Sequence, residues 1–274
     1  MIRKELNKEQ LRANDIAQVK GGSSWLNALP LDEEGYSLNK REFYDAISLR
    51  YRWSLKRLPT NCACGKKFSF DHAMGSLKGG FIHQRHDRIR DMVAEMIDDV
   101  AFDVHIEPHL QQVTGEELPP SANTGNEARL DVAARGFWQR GEMAFFDVRV
   151  LDPFAKSHMN AKLETAFNNN EASKKRQYNQ RVIQIEHGSF TPIVLSAFGG
   201  FGKETGVFIS NLVRKISDKH DLPTSTVANY VRTKMSFELI RAQVMCIRGS
   251  RTRRKIEVDT KEIEVVHCAS NVQS

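Results

Sequence analysis

Apolar residues recur at helical spacing in several segments of the chain. The strongest pattern predicts a helix from about His86 to Val100, with five residues on one apolar face: Ile89, Val93, Met96, Ile97 and Val100. Before a second such segment, Asn39 and Glu42 have the spacing of a capping box, in which each side chain bonds the other's backbone N–H. The apolar stripe of this second helix is predicted to be Phe43, Ala46, Ile47 and Tyr51.

Strand-like patterns follow in the middle of the chain. ARLDVAARGFW and EMAFFDVRVLDP are the clearest strand candidates, and the tight segment WQRGE between them predicts a hairpin. DVHIEPHLQ alternates in a similar way, and TPIVLSAFGG has the composition of a buried strand that ends at a glycine turn. Together with the helices, these strands predict an α/β protein.

The remaining segments are helices, a loop and polar ends. Residues 160–186 have a charged, helical pattern, and further helices are expected from Gly206 to Lys219 and from Ser225 to Arg248. EELPPSANTGNE is predicted to be a loop. The first twenty-odd residues are polar and end in GGSS, which predicts a tail or a frayed helix.

Composition indicates the cellular compartment. Hydrophobic residues make up 40% and charged residues 27% of the 274, as in ordinary globular proteins. No run of eighteen apolar residues predicts a transmembrane helix, and the polar N-terminus lacks the apolar core of a signal peptide. We therefore expect an intracellular protein with no membrane partner.

The four cysteines fit a reducing compartment. Cys62 and Cys64 are two residues apart, whereas Cys246 and Cys268 stand far away. A close pair of this kind is better explained as metal ligands than as part of a disulfide framework. Cys246, in the apolar run AQVMCI, is predicted to be a buried thiol.

Charge is distributed unevenly along the chain. Residues 1–150 carry a net charge of −1, and residues 151–274 carry +7. An acid-bearing half beside a basic half suits a protein that binds metal in one place and a polyanion next to it. A solvated basic face is the alternative explanation.

Three acids lie where strands would carry them towards one edge: Glu107, Asp131 and Asp147. A short hairpin would bring Asp131 and Asp147 together, and Arg149 would project from the same strand face as Asp147. Clustered carboxylates are costly unless they hold a cation, and their oxygens suit Mg²⁺ or Mn²⁺. Each acid could instead be a surface residue at a strand end, but two of them interrupt otherwise apolar strands.

These residues form part of an ordered series of motifs. Along the chain come Cys-x-Cys, His72, RHD at 85–87, IEP, RLDV and FFDVRV, and then a helix with Lys174, Lys175 and Tyr178. The series resembles the C-terminal region of site-specific non-LTR retrotransposons, in which a CCHC zinc knuckle precedes a PD-(D/E)XK endonuclease. The resemblance covers roughly residues 24–250 and ends with TPIVLSAFGG and the helices after it.

The resemblance implies a division of the chain. A restriction-endonuclease-like core, with a mixed sheet flanked by helices, is expected at about residues 84–200. A helical linker and zinc-knuckle-like segment would precede it at 24–83, and a helical extension would follow at 201–250. Residues 1–23 and 251–274 would be polar tails.

The resemblance also implies roles for the acids. Asp131 and Asp147 would bind the catalytic Mg²⁺ or Mn²⁺, and Glu107 would assist. Arg149 stands where the family has lysine, and arginine can stabilise charge but cannot act as a base. Lys175, on the following helix, could take the lysine's role.

Five basic or aromatic residues are expected to contact DNA in this picture: Arg85, His86, Lys174, Arg176 and Tyr178. Arg85 and His86 match the family's basic-His-polar motif, although an ordinary helix N-terminus with Asp87 in its first turn explains them equally well.

The expected zinc site departs from the family pattern at one position. The resemblance implies Cys62, Cys64 and His72 as Zn²⁺ ligands, followed by a cysteine four residues after the histidine. Ser76 stands there, and serine is a poor zinc ligand. His83 is a candidate for the fourth position.

The function implied is metal-dependent hydrolysis of a DNA phosphodiester in the nucleus. Because no YxDD motif of a reverse transcriptase is present, the chain would be a fragment of such an element or a separate protein made from its end. Element RNA or a reverse transcriptase module are further expected partners. The alternatives are a catalytically decayed nucleic-acid-binding protein and a host protein that uses the fold for protein contacts.

Overall fold

The computed structural model describes residues 6–112 and 128–249. Four strands form one mixed sheet in the order β1-β2-β3-β4: β1 Phe102–Ile106, β2 Val132–Arg135, β3 Met143–Leu151 and β4 Ser189–Ser196. β2 pairs antiparallel with β1 and β3, whereas β3 and β4 are parallel. The chain is therefore a mixed α/β protein, as predicted, and ARLDVAARGFW and EMAFFDVRVLDP form the expected antiparallel pair.

Helices flank this sheet. In the described ranges they are α1 Lys8–Gln18, α2 Lys40–Tyr51, α3 Phe70–Gly75, α4 Phe81–Asp98, α5 Leu163–Arg181, α6 Lys203–His220 and α7 Thr224–Arg248. α5 connects β3 to β4, as a parallel pair requires a crossover, and ends in a π-helical turn at Val182–Glu186. The helices predicted from Gly206 and Ser225 are confirmed as α6 and α7. None of the helices in these ranges is long and apolar enough to cross a membrane.

The two faces of the sheet pack against different helices. One face, with Val132, Phe146 and Ile193, joins apolar residues of α4, α6 and α7 in the main core. The other face, with Phe145 and Phe190, packs against the end of α5. This division follows from the alternation of side chains along each strand, which sends neighbouring residues to opposite faces.

α2 confirms the predicted cap but only part of the predicted stripe. Asn39 and Glu42 form the capping box. Ala46 is buried, as expected, but Phe43 and Tyr51 are 50% and 46% exposed. The buried face of α2 instead includes Asp45, whose carboxylate is paired with Arg248 of α7.

α4 is longer than the sequence predicted, and α1 is a helix where a polar tail or a frayed helix was predicted. α4 begins at Phe81, five residues before the predicted start, after Gly80 in the left-handed region (φ 69°). α1 lies within the segment predicted as a polar tail, and a capping box at Asn7 begins it. Its Arg12 is buried and donates to the backbone oxygen of His158 at 2.8 Å. The loop EELPPSANTGNE, the segment 251–274 and Cys268 lie outside the described residues.

α7 holds the N-terminal segment onto the core. Phe237 and Ile240 pack against Trp25, and Ile247 packs against Cys62 and Phe68. Cys246 is fully buried, as predicted. The residues near the cysteine pair therefore depend on the end of α7 for their apolar contacts.

Candidate functional site

The β2–β3 register brings two of the predicted acids together. Val132 pairs with Phe146, so the next step of the antiparallel register places Asp131 beside Asp147. The backbone N–H of Asp131 donates to the oxygen of Phe146 at 3.1 Å, and that of Val148 donates to Asp131 Oδ2 at 2.5 Å. The two carboxylates thus sit side by side at the end of the ladder.

Asp147 is a buried acid on an interior strand. It is 5% exposed, and Lys174 Nζ on α5 lies 3.0 Å from its Oδ1 and 2.8 Å from its Oδ2. Burial raises the pKa of Asp147 to about 6, and the charge of Asp131 adds to this, although the Lys174 ammonium opposes it. Tyr178, one turn after Lys174, lies under the same ammonium, 5.5 Å from ring centroid to Nζ.

His86 binds the other aspartate. Its Nε2 lies 2.9 Å from Asp131 Oδ1. Burial lowers the pKa of His86, but the hydrogen bond to Asp131 and the charges of Asp131 and Asp147 outweigh it, so the pKa is raised. The site therefore pairs the Asp147 carboxylate with Lys174 and the Asp131 carboxylate with His86.

Arg85, the neighbour of His86, has a different position. Its side chain is buried and donates to the backbone oxygen of Met74 at 3.4 Å, linking α4 to α3. It is thus a packing residue where a contact with DNA was expected.

Of the remaining predicted residues, one lysine is paired elsewhere and two arginines are exposed. Lys175 pairs with Glu204 of α6 at 2.8 Å, so Lys174 is the lysine that reaches Asp147. Arg149 and Arg176 are exposed. The i, i+4 spacing puts Lys174 and Tyr178 on one face of α5, but nothing in the sequence shows that this face meets Asp147.

Glu107 does not form a close group of three acids with Asp131 and Asp147. Its carboxylate accepts from Arg90 and pairs with Arg129 at 3.4 Å, and its side chain is 48% exposed. Its backbone N–H donates to the oxygen of Asp131 at 2.9 Å, so the strands are joined while the side chain points to its two arginines. Sequence analysis did not single out these arginines.

No protein-family model matches the chain. No curated protein sequence matches it either. What its site can do therefore rests on the geometry.

A second group of ligand-type side chains lies near α3. Within residues 6–112 and 128–249, Cys62, Cys64 and His72 form the one set of at least three such residues whose ligand atoms all lie within 4.8 Å of one another. Cys64 Sγ is 3.3 Å from His72 Nε2. This set can hold a metal ion such as zinc, as the spacing of the cysteines predicted. The set Glu107, Asp131 and Asp147 does not meet the same distance in this part of the chain.

A tight turn and a cap shape this group. Gly65, with φ 83°, allows Cys62 and Lys66 to approach, and the Cys62 N–H donates to the Lys66 oxygen at 2.9 Å. His72 is held on α3, where the Ser69 side chain caps the helix through the His72 N–H. Local hydrogen bonds thus hold the backbone of Cys62 and of His72.

Ser76 stands at the fourth corner of the group. Its Oγ lies 3.7 Å from Cys62 Sγ, and it is buried. Burial raises the pKa of Cys62, but hydrogen bonds from the Cys64 backbone and from the His72 and Ser76 side chains outweigh it and lower the pKa to about 6. A thiolate is the form that binds zinc. His83, the other candidate, is exposed on α4 and is not a member of the group.

Proposed function

We propose that the chain is a divalent-metal-dependent DNA endonuclease with a restriction-endonuclease-like core. One observation carries the proposal: Asp147, buried on an interior strand, lies beside Asp131 and is bound by Lys174 from the following helix. Two acids from a hairpin and a lysine are the grouping that the retrotransposon endonucleases would require. A buried acid with a raised pKa in such a cluster is typical of functional sites.

The order of elements supports the same proposal. A helix, three antiparallel strands, a crossover helix and a parallel strand surround the two aspartates. The hairpin supplies both acids, the crossover helix supplies the lysine, and the preceding helix supplies His86. The site is therefore assembled from the hairpin and from the helices before and after it.

The aspartate pair suits a hard cation. Mg²⁺ is commonly bound by one or two carboxylates together with waters and substrate phosphates. Asp147 Oδ2 is buried without a well-oriented hydrogen bond, although Lys174 Nζ is near it. Asp131 and Asp147 would hold Mg²⁺ or Mn²⁺, which would supply a more acidic water and charge stabilisation at a phosphate.

The chain's own groups would position the acids and the phosphate. The His86 ring and the N–H of Val148 bind the two oxygens of Asp131 and so fix its orientation. Lys174, which is paired with Asp147, would take the role of the family's lysine in place of Lys175. Arg149 is exposed two residues after Asp147 and can contact a phosphate from the same face.

A plasmid-nicking assay with Mg²⁺ or Mn²⁺ tests the proposal. Asp131→Ala and Asp147→Ala should abolish nicking, and Lys174→Met should slow it about a hundredfold, as the loss of one charge-stabilising donor does. Lys175→Met is the matched control and should change little, because Lys175 is bound to Glu204. Asp103→Asn, on exposed β1, controls for loss of an acid.

A non-cleaving nucleic-acid-binding protein is the second candidate. It is favoured by Arg149 in the lysine position and by the basic partners that already occupy both aspartates. Salt-dependent DNA binding by a wild-type protein that never nicks would establish it in place of the nuclease. Equal nicking by the wild type and both aspartate variants would contradict the assignment of the site.

The zinc-knuckle-like segment belongs to the same proposal. Zinc held by Cys62, Cys64 and His72 would order the segment between α2 and α4 beside the core. DNA is the partner that this function requires. A nuclear location, element RNA and a reverse transcriptase module remain predictions from the resemblance.

A further inference from the structure

Two exposed aromatic rings stack on each other where α2 ends. The ring centroids of Tyr51 and Trp53 are 5.2 Å apart, and their planes differ by 27°. Stacking covers one face of each ring, yet Trp53 is 59% exposed. The other face of the indole is therefore open to solvent, which is unusual for so large an apolar group.

The same surface continues along α2. Tyr44, seven residues before Tyr51, lies on the same side of the helix and is 38% exposed. Lys56 Nζ lies 5.7 Å from the Tyr44 ring centroid. Arg57 follows Lys56 and, with Arg41 one turn before Tyr44, lines a cavity of about 250 Å³. We call Arg41, Tyr44, Tyr51, Trp53, Lys56 and Arg57 the aromatic–basic surface.

The cations of this surface are not neutralised. Arg41, Lys56 and Arg57 are exposed, and none forms an ion pair with a residue in the described ranges. By contrast, Asp45 on the same helix is fully buried and is bound by Arg248 at 2.5 Å. The surface therefore carries excess positive charge.

The other acids near the end of α2 are also engaged. Glu9 and Asp71 both pair with Arg52, at 3.0 Å and 3.1 Å. Arg52 is thus committed within the fold, as is Arg50, which donates to Gly22 O and Ser23 Oγ. The cations of the aromatic–basic surface remain available for an external anion.

We propose that the aromatic–basic surface binds single-stranded DNA. An open indole face stacks with a base, and unpaired arginines and a lysine contact the phosphates on either side. A duplex keeps its bases stacked inside and offers no such ring face. This function lies apart from the aspartate site, and only the choice of DNA over RNA rests on the proposed nuclease.

Binding of a fluorescently labelled oligo(dT), measured by anisotropy without divalent ions, tests the proposal. Trp53→Ala should weaken binding about 5- to 100-fold, the range for loss of one base–aromatic stack. Trp53→Phe should retain most of the affinity, because it keeps a ring. Replacing Arg41 and Arg57 by alanine should reduce the slope of log affinity against log salt by about 0.7 for each lost phosphate contact.

Tyr230→Ala is the matched control. Tyr230 is also 38% exposed and lies 5.9 Å under Lys234 Nζ, but Lys234 is paired with Glu95 at 2.9 Å. Its loss should leave oligo(dT) affinity unchanged. Melting curves followed by circular dichroism should be the same for the wild type and the exposed-residue variants.

Three results would overturn the proposal. They are equal oligo(dT) affinity of wild type and Trp53→Ala, an equal loss of duplex binding in that variant, and tighter binding of oligo(rU) than of oligo(dT). Because no cleavage takes place in this assay, binding through Trp53 without plasmid nicking supports this proposal and contradicts the nuclease. Plasmid nicking by a protein whose oligo(dT) affinity does not depend on Trp53 supports the nuclease and contradicts this proposal.

Discussion

Burial of the Asp147 carboxylate opposes the metal-binding role that we propose for it. In water its pKa would be near 3.8, and in the fold burial raises it to about 6. The folded protein therefore holds this proton more tightly than the unfolded chain does. Metal binding requires the opposite, since only the anion is a ligand.

The stability of the metal-free protein should consequently depend on pH through Asp147. Between about pH 4 and 6 the folded state binds more protons than the unfolded state, so the free energy of unfolding falls as pH rises. Over this pH range, Asp147 lowers the free energy of unfolding by a total on the order of 3 kcal/mol. Asp147→Asn should remove that component, as measured by urea unfolding at several pH values. The raised pKa of His86 also makes the free energy of unfolding fall with rising pH, but above about pH 6.5. Parallel plots of that free energy against pH for the wild type and Asp147→Asn would contradict the assignment to Asp147.

Ser76 offers a second residue-scale test. Because its Oγ is next to Cys62 Sγ, Ser76→Cys would add a third sulfur, and so a fourth ligand, to the cysteine–histidine group. We expect Zn²⁺ to bind roughly tenfold tighter or more in this variant, since four ligands complete a tetrahedral structural site. Competition with a chromophoric chelator measures the affinity.

The controls for the zinc test change other residues. Cys64→Ser should lose the ion, and His83→Ala should retain it, because His83 lies outside the group. Wild-type protein purified without chelator should contain close to one equivalent. Absence of zinc from both the wild type and Ser76→Cys would show that the segment is ordered by packing alone.

At the scale of elements, the N-terminus of α6 depends on a close approach. Glu171 of α5 is buried, and its Oε1 accepts from the backbone N–H of Glu204 at 3.0 Å and of Thr205 at 3.3 Å. Gly202 precedes the helix, and a Cβ there would overlap the Glu171 carboxylate. This contact fixes α5, which carries Lys174, against α6.

Gly202 before α6 and Gly206 within it should therefore respond to alanine with opposite signs. Gly202→Ala should lower the free energy of unfolding by about 1–3 kcal/mol, the cost of an overpacked site. Gly206→Ala should raise it by up to about 1 kcal/mol, because Gly206 lies inside the helix and its Cβ would make ordinary contacts with Phe201. Urea unfolding measures both, and equal effects would show that the Glu171 contact is not rigid.

Elements with local signals were predictable from the sequence. The capping box at Asn39 and the β2–β3 hairpin depend on residues close together in the chain, so spacing alone identifies them. α1 was not identified as a packed helix, because its buried face includes Arg12, whose partners are backbone oxygens about 146 residues away. The start of α4 was missed for a similar reason, since buried Phe81 packs against Cys246 of α7.

The candidate site likewise contains residues that were predictable from local sequence and residues that were not. Asp131 and Asp147 were predictable together, because one hairpin carries both. Which lysine reaches them was not, because Lys174 and Lys175 differ only in how α5 is rotated on the sheet. Glu107 was assigned from its strand, but the arginines that bind it come from α4 and from the residue before Leu130. Long-range pairs of this kind leave no pattern in the sequence.

At the scale of the whole molecule, the two ends of the described chain are interdependent. Asp45 of α2 is bound by Arg248 at the end of α7, 203 residues later. The apolar clusters around Trp25 and Phe68 are completed by the same helix. The aromatic–basic surface and the cysteine–histidine group therefore lie on a segment that α7 holds in place.

This dependence on α7 sets an order of events during synthesis. The segment with Trp25, Phe68 and the cysteine pair leaves the ribosome early, but the helix that covers its apolar side is among the last parts of the described chain to be made. Until then about two hundred residues must be translated while that side waits unburied, which at 5–20 residues per second takes on the order of ten seconds or more. Until α7 is made, the early segment therefore exposes the kind of apolar surface that makes incompletely folded chains prone to aggregate.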